Sequence, residues 1–70
     1  MYSLAGMDGK IYKIMTYTAL VMKECDFEEE EIERYLSQCF HSTYTELLVL
    51  SLEFIHKCNT IKGYERSLHV

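Results

Sequence analysis

Apolar residues recur at three- and four-residue spacing in three stretches of the chain, and that spacing predicts three amphipathic helices. In the first stretch Ile11, Ile14, Met15, Thr18, Ala19, Val21, Met22 and Cys25 gather on one side at about 100° per residue. Lys13, Thr16, Lys23 and Glu24 fall opposite. Asp8 is an acceptable N-cap, so this helix is expected over about residues 9–24. Tyr17 and Leu20 break the pattern by sitting among the polar positions, and Tyr12 lies at the border.

The second stretch places Ile32, Tyr35, Leu36, Cys39 and Phe40 at i, i+3, i+4, i+7 and i+8. Two registers are open for its start. With Asp26 as N-cap, Glu29 completes a capping box. With Glu28 as N-cap, Phe27 is placed to pack on Ile32 as a hydrophobic staple and Glu31 takes the third position. The second register is preferred. It explains the aromatic ahead of the acidic run, and it leaves Asp26 to close the first helix in a left-handed conformation. This helix is expected over about residues 28–40.

In the third stretch Thr43 and Glu46 form a T-x-x-E capping box, with Ser42 as an alternative cap. Tyr44, Leu47, Leu48, Leu50, Ser51, Leu52, Phe54, Ile55 and Cys58 then cover roughly 200° of the helix. An arc that wide suits a central helix packed on both others, or one that also meets a second chain. The helix is expected over about residues 44–58, with Asn59 just past its end. Short connections make neighbouring helices antiparallel. The expected fold is therefore all-α, a compact three-helix bundle at residues 8–59. Residues 1–7 are expected as a loose leader and 60–70 as a tail, frayed or folded back.

Composition narrows the function. The chain has 70 residues, 49% of them hydrophobic, with no proline and three glycines, which argues against disorder and against a turn-rich β fold. The net charge of −4 is the wrong sign for a polyanion. If the third helix were a recognition helix, its exposed face would carry Glu46, Glu53 and His56 against Lys57 alone, so direct nucleic-acid binding is not expected. Three cysteines do not make a closed disulfide set, and each falls on an apolar face, so they read as reduced core thiols of a cytoplasmic protein. MYSLAGM lacks the charged and apolar parts of a secretory signal. The longest apolar run, LLVL at 47–50, is far short of a membrane span.

No catalytic, cofactor or metal site is expected. Cys39-x-His41 and His56-x-Cys58 resemble halves of a zinc site, but residues i and i+2 on a helix point about 200° apart. No phosphate loop, dinucleotide fingerprint or nucleophile elbow is present, and three short helices leave little room for a substrate pocket, so an enzyme is not expected. Two surfaces remain. The acidic patch Glu28, Glu29, Glu30, Glu31 and Glu33 begins a helix, where the dipole favours negative charge by about 0.3–1 kcal/mol per residue at most. It exceeds what a cap needs. The other candidate is a partner-binding surface at Tyr17 and Leu20, with Val49 and Glu53 as a second.

The succession DGKIYKIM, KECDFEEEEIERYL and STYTELLVLSLEFI, over residues 8–58, resembles small helical proteins of unknown function carried by phages and mobile elements of gut bacteria. Glu28 departs from the Ser or Thr cap usual there. The resemblance implies a compact helical fold in a mobile-element setting and supplies no activity. The leading expectation is a small intracellular protein–protein interaction module, an accessory factor that binds a partner or self-associates, for instance as a homodimer. An acidic nucleic-acid mimic acting through Glu28–Glu33 competes with it. A purely structural homo-oligomer is the third reading. A membrane is not expected as a partner.

Overall fold

A computed structural model describes residues 1–64 and contains three helices: α1 (Ile11–Glu24), α2 (Glu29–Phe40) and α3 (Tyr44–Lys62). They pack as a three-helix bundle with contacts among all three. Those contacts are most extensive between α1 and α3 and least extensive between α2 and α3. The central helix is therefore α1 and not α3, as the width of the α3 apolar arc had suggested. Part of that arc is at the surface: Tyr44 and Leu52 are exposed, and the buried line is the narrower Leu47, Ser51, Ile55, Cys58 and Asn59.

The helix ends show which local rules decided the fold. α1 begins later than expected, and Asp8 does not cap it. Gly9 stands at φ 74°, outside helical geometry, and its N–H donates to the Tyr44 hydroxyl at 2.9 Å. Lys10 takes the N-cap position without a side-chain hydrogen bond. At the other end Asp26 adopts φ 63°, as the preferred register required. The Phe27 N–H reaches the Met22 carbonyl at 3.0 Å and the Asp26 N–H reaches that of Lys23 at 3.1 Å, a Schellman closure. α2 then starts with Glu28 as N-cap in extended conformation.

At the turn into α3, Ser42 Oγ donates to the Gln38 carbonyl at 2.6 Å. His41 Nδ1 lies 2.9 Å from the Ser37 carbonyl, which can only accept, so Nδ1 carries the proton. The capping box on α3 is complete: the Glu46 N–H donates to Thr43 Oγ1 at 3.2 Å, and the Thr43 N–H donates to Glu46 Oε1 at 2.8 Å. The hydrogen bond from the Thr43 N–H, helped by the Thr43 hydroxyl, holds the Glu46 carboxyl below the usual carboxylate range. α3 does not stop at Cys58. It runs through Asn59 to Lys62 and ends at Gly63, which takes φ 78° in a second Schellman closure of Tyr64 N–H on Asn59 O and Gly63 N–H on Thr60 O.

Buried side chains from all three helices form one core, with Ile14, Val21, Met22, Tyr35, Leu47 and Cys58 at its centre. An edge-to-face chain of rings supports it, Phe27 on Phe54 at 5.8 Å and Phe54 on Tyr35 at 5.4 Å. Phe40 leaves the predicted stripe and is 67% exposed. The buried arc of α2 centres between Tyr35 and Ile32, which puts Phe40 roughly 100° away from it.

The first residues are not a loose leader. Leu4 is buried in the core, and the backbone of Tyr2 pairs with the Asn59 side chain. The Tyr2 hydroxyl donates to Glu24 Oε1 at 2.9 Å, and its ring meets Tyr64 edge to face at 5.6 Å. The expected tail is helical to Lys62 and capped at Gly63, and its remainder, 65–70, lies outside the described residues.

Candidate functional site

The helical period divides α1 into two unlike sides. Ile14, Thr18, Val21 and Met22 face the bundle and are buried. Tyr12, Thr16 and Leu20, one turn apart in sequence, form a row on the opposite side. Tyr12 is 74% exposed and Leu20 57%. Together with Met7, Lys13 and Tyr17 they line an open groove of about 400 Å³ whose walls are almost wholly apolar.

The two sequence-predicted anchors on α1 meet in this groove, but not with equal exposure. Leu20 stands out to solvent. Tyr17 does not: it is half-buried against the core, and its hydroxyl accepts the Ser3 N–H at 3.1 Å. Its off-pattern position is explained by the docked N-terminal segment, which supplies the cover that no helix provides. Periodicity within α1 had no means of revealing that cover. Tyr12, placed only at the border by sequence, is the more available aromatic and has no hydrogen bond or ring contact among the described residues.

Val49 and Glu53 lie together on a second open groove of about 510 Å³, between the end of α2 and the first half of α3. Gln38, His41, Glu46 and Leu50 share its walls, so it is the more polar of the two. Val49 is 51% exposed. The acidic patch Glu28, Glu29, Glu30, Glu31 and Glu33 is exposed throughout, and none of these glutamates has a cation partner among the described residues.

Sequence reasoning missed a buried cluster of hydroxyls. Tyr35 of α2 and Ser51 of α3 share a 2.6 Å hydrogen bond at the centre of the bundle, and Thr18 of α1 brings a third hydroxyl beside Tyr35. Thr18 Oγ1 is fully buried with no hydrogen-bond partner. Burial pushes the Tyr35 phenol up to about 12, although the neighbouring Ser51 and Thr18 hydroxyls act the other way. The signal was present: each apolar stripe contains at least one hydroxyl-bearing residue, Thr18, Tyr35 and Ser51 among them. Such a pairing helps set the register of three helices, since a slip of either partner would leave a polar group unsatisfied in the core.

The three thiols are free and buried, where their place on the apolar faces predicted. The Cys58 thiol donates weakly to the Val21 carbonyl at 3.9 Å, and the Cys25 thiol to the Cys58 carbonyl at 4.0 Å. Burial, reinforced by the adjoining Cys25, pushes Cys58 up to about 12, and burial also raises Cys39. Thiols held neutral in this way pack as small hydrophobes and are poor nucleophiles. Among the described residues no group of three or more His, Cys, Asp or Glu gathers as a metal site, and no helix is long and apolar enough to cross a membrane.

In comparisons with known proteins, no protein family, curated protein or solved structure matches this chain.

Proposed function

We propose that this chain is a small protein-binding module that docks through the outer face of α1. The observation that carries the reading is the groove around Leu20: large apolar side chains stand in solvent on the helix whose other side is the centre of the core. Covering one such side chain contributes about 1.5–3 kcal/mol, so a partner over Tyr12 and Leu20 gains the larger part of its affinity there. The groove at Val49 and Glu53 is a poorer candidate because more of its wall is polar.

The test is capture from lysate of the cells that make the protein, with tagged wild type and Leu20→Glu run side by side after nuclease treatment. A partner retained by wild type and lost by the variant is the expected result. Equal recovery by both would remove the α1 face from consideration. Elution in rising salt separates this reading from the acidic mimic, because a contact made by Glu28–Glu33 is released by screening and an apolar one is not.

A further inference from the structure

We propose that the occupant of the α1 groove is a second copy of this chain, which lays the exposed face of its α2 along Lys13, Thr16 and Leu20. The inference rests on the reading of α1 as a docking face and names what docks there. Two outer faces of the molecule match in chemistry and in spacing. On α1, exposed Lys13 and Leu20 are separated by seven residues. On α2, exposed Glu33 and Phe40 are separated by the same seven. Seven residues are close to two turns, about 10.5 Å along the axis, so each pair lies on one stripe of its helix.

An α2 laid parallel to the α1 of a neighbouring copy therefore brings Glu33 to Lys13 and Phe40 to Leu20 in a single register. The same register sets half-buried Leu36 over Thr16 and Glu30 beside Lys10. Phe40 is the large apolar side chain that the bundle leaves outside its own core on α2, and Leu20 is one of three on α1, with Ile11 and Tyr12 nearer the helix start. None of Lys10, Lys13, Glu30 or Glu33 has an ionic partner within the chain among the described residues. In this way the acidic start of α2, larger than a cap requires, acquires a local complement in a protein whose overall charge is −4. Copies repel at long range and match at this contact, which favours a weak, oriented association over indiscriminate aggregation.

Light scattering on the full chain, from micromolar to millimolar concentration, tests the pairing. The mass is expected to rise above the 8.3 kDa of one chain. Doubling, where two copies exchange α2 faces, and continued growth, where each copy passes the contact on, both meet the expectation. Leu20→Glu and Phe40→Glu should each weaken association at least about tenfold. Lys13→Glu and Glu33→Lys should each weaken it by about two- to fivefold, and mixing those two variants should restore it, since each then offers the opposite charge to the other. All four positions are exposed, and helical circular dichroism verifies that the variants remain folded.

A mass that stays at one chain throughout would overturn the proposal. So would association that Leu20→Glu abolishes while Phe40→Glu and Glu33→Lys leave it unchanged. If the chain is monomeric while Leu20-dependent capture of another protein persists, the occupant is wrong and the docking face stands. If Leu20→Glu alters neither mass nor capture, the docking face itself is wrong.

Discussion

The two sides of α1 are built from similar residues. The inner side carries Ile14, Thr18, Val21 and Met22, and the outer side carries Tyr12, Thr16 and Leu20. Each has one threonine among larger apolar neighbours. Yet the inner threonine is fully buried with an unpartnered hydroxyl, while the outer leucine stands in water. Residue type does not separate the two sides; position relative to the other helices does. An apolar residue that the fold leaves uncovered adds little to its stability, which frees the outer side of α1 to serve contact with another molecule.

The contrast is tested most strongly on the inner side. Ile14→Ala should cost about 2–5 kcal/mol in chemical denaturation, because it removes a fully buried side chain from a core with little means of closing the gap. For a chain of this size that is a large share of total stability. A cost under 1 kcal/mol would mean that the inner side is no better packed than the outer. Next comes Tyr35→Phe, which leaves Ser51 Oγ buried without its 2.6 Å partner and should cost about 1–3 kcal/mol. The double variant Tyr35→Phe/Ser51→Ala should cost less than the sum of the two single changes, since no orphaned hydroxyl of that pair remains.

An intermediate effect is expected from pH. The Cys58 thiol ionises only toward pH 12 in the folded chain, against an ordinary value of 9.0. A group whose folded value is raised contributes stability that is complete below its unfolded value and is lost as pH rises toward the folded one. Thermal melts should therefore weaken progressively above about pH 9, and Cys58→Ala should flatten that decline. Thr18→Val should stabilise the fold by about 1 kcal/mol, because it removes a buried hydroxyl that has no partner. Destabilisation would show that Thr18 is more fully engaged with Tyr35 than its geometry indicates. Smallest of all, Leu20→Ala should change stability by less than about 0.5 kcal/mol in isolated protein, while weakening whatever Leu20 contacts.

Three helices were legible in the sequence because their signals are local. The α2 stripe, the Thr43–Glu46 box and the left-handed Asp26 depend on residues within one or two turns, and the structure reproduces the last two in full and the stripe from Ile32 to Cys39. Where expectation failed, the cause lay further along the chain. Asp8 is not the cap because the chain turns at Gly9, which is tied to Tyr44 on another helix, and the N-cap position falls to Lys10. Asn59, expected just past a helix end, stays helical: α3 closes at left-handed Gly63 instead, and the Asn59 amide pairs with the distant Tyr2. Phe40 and Tyr17 exchanged expected surroundings for the same kind of reason. Phe40 lies roughly 100° round α2 from the side that the other helices cover, and the N-terminal segment covers a patch that no helix reaches. Of the proposed site, Leu20 could be read from its break in periodicity, whereas the groove around it required the neighbouring segments to be in place.

The Asn59 side chain acts toward Tyr2 as an extra peptide unit would, accepting from its N–H at 2.8 Å and donating to its carbonyl at 3.1 Å. That clasp joins positions 57 residues apart, while the helices on either side of each short turn meet through near neighbours. Closing so long a loop carries an entropic cost that local pairings do not, so the helices are expected to assemble first and the clasp to form late. Its contribution then falls on the unfolding rate. Asn59→Ala should let the bundle come apart faster while leaving the speed at which it assembles nearly unchanged, which makes the amide a governor of how long each folded molecule lasts.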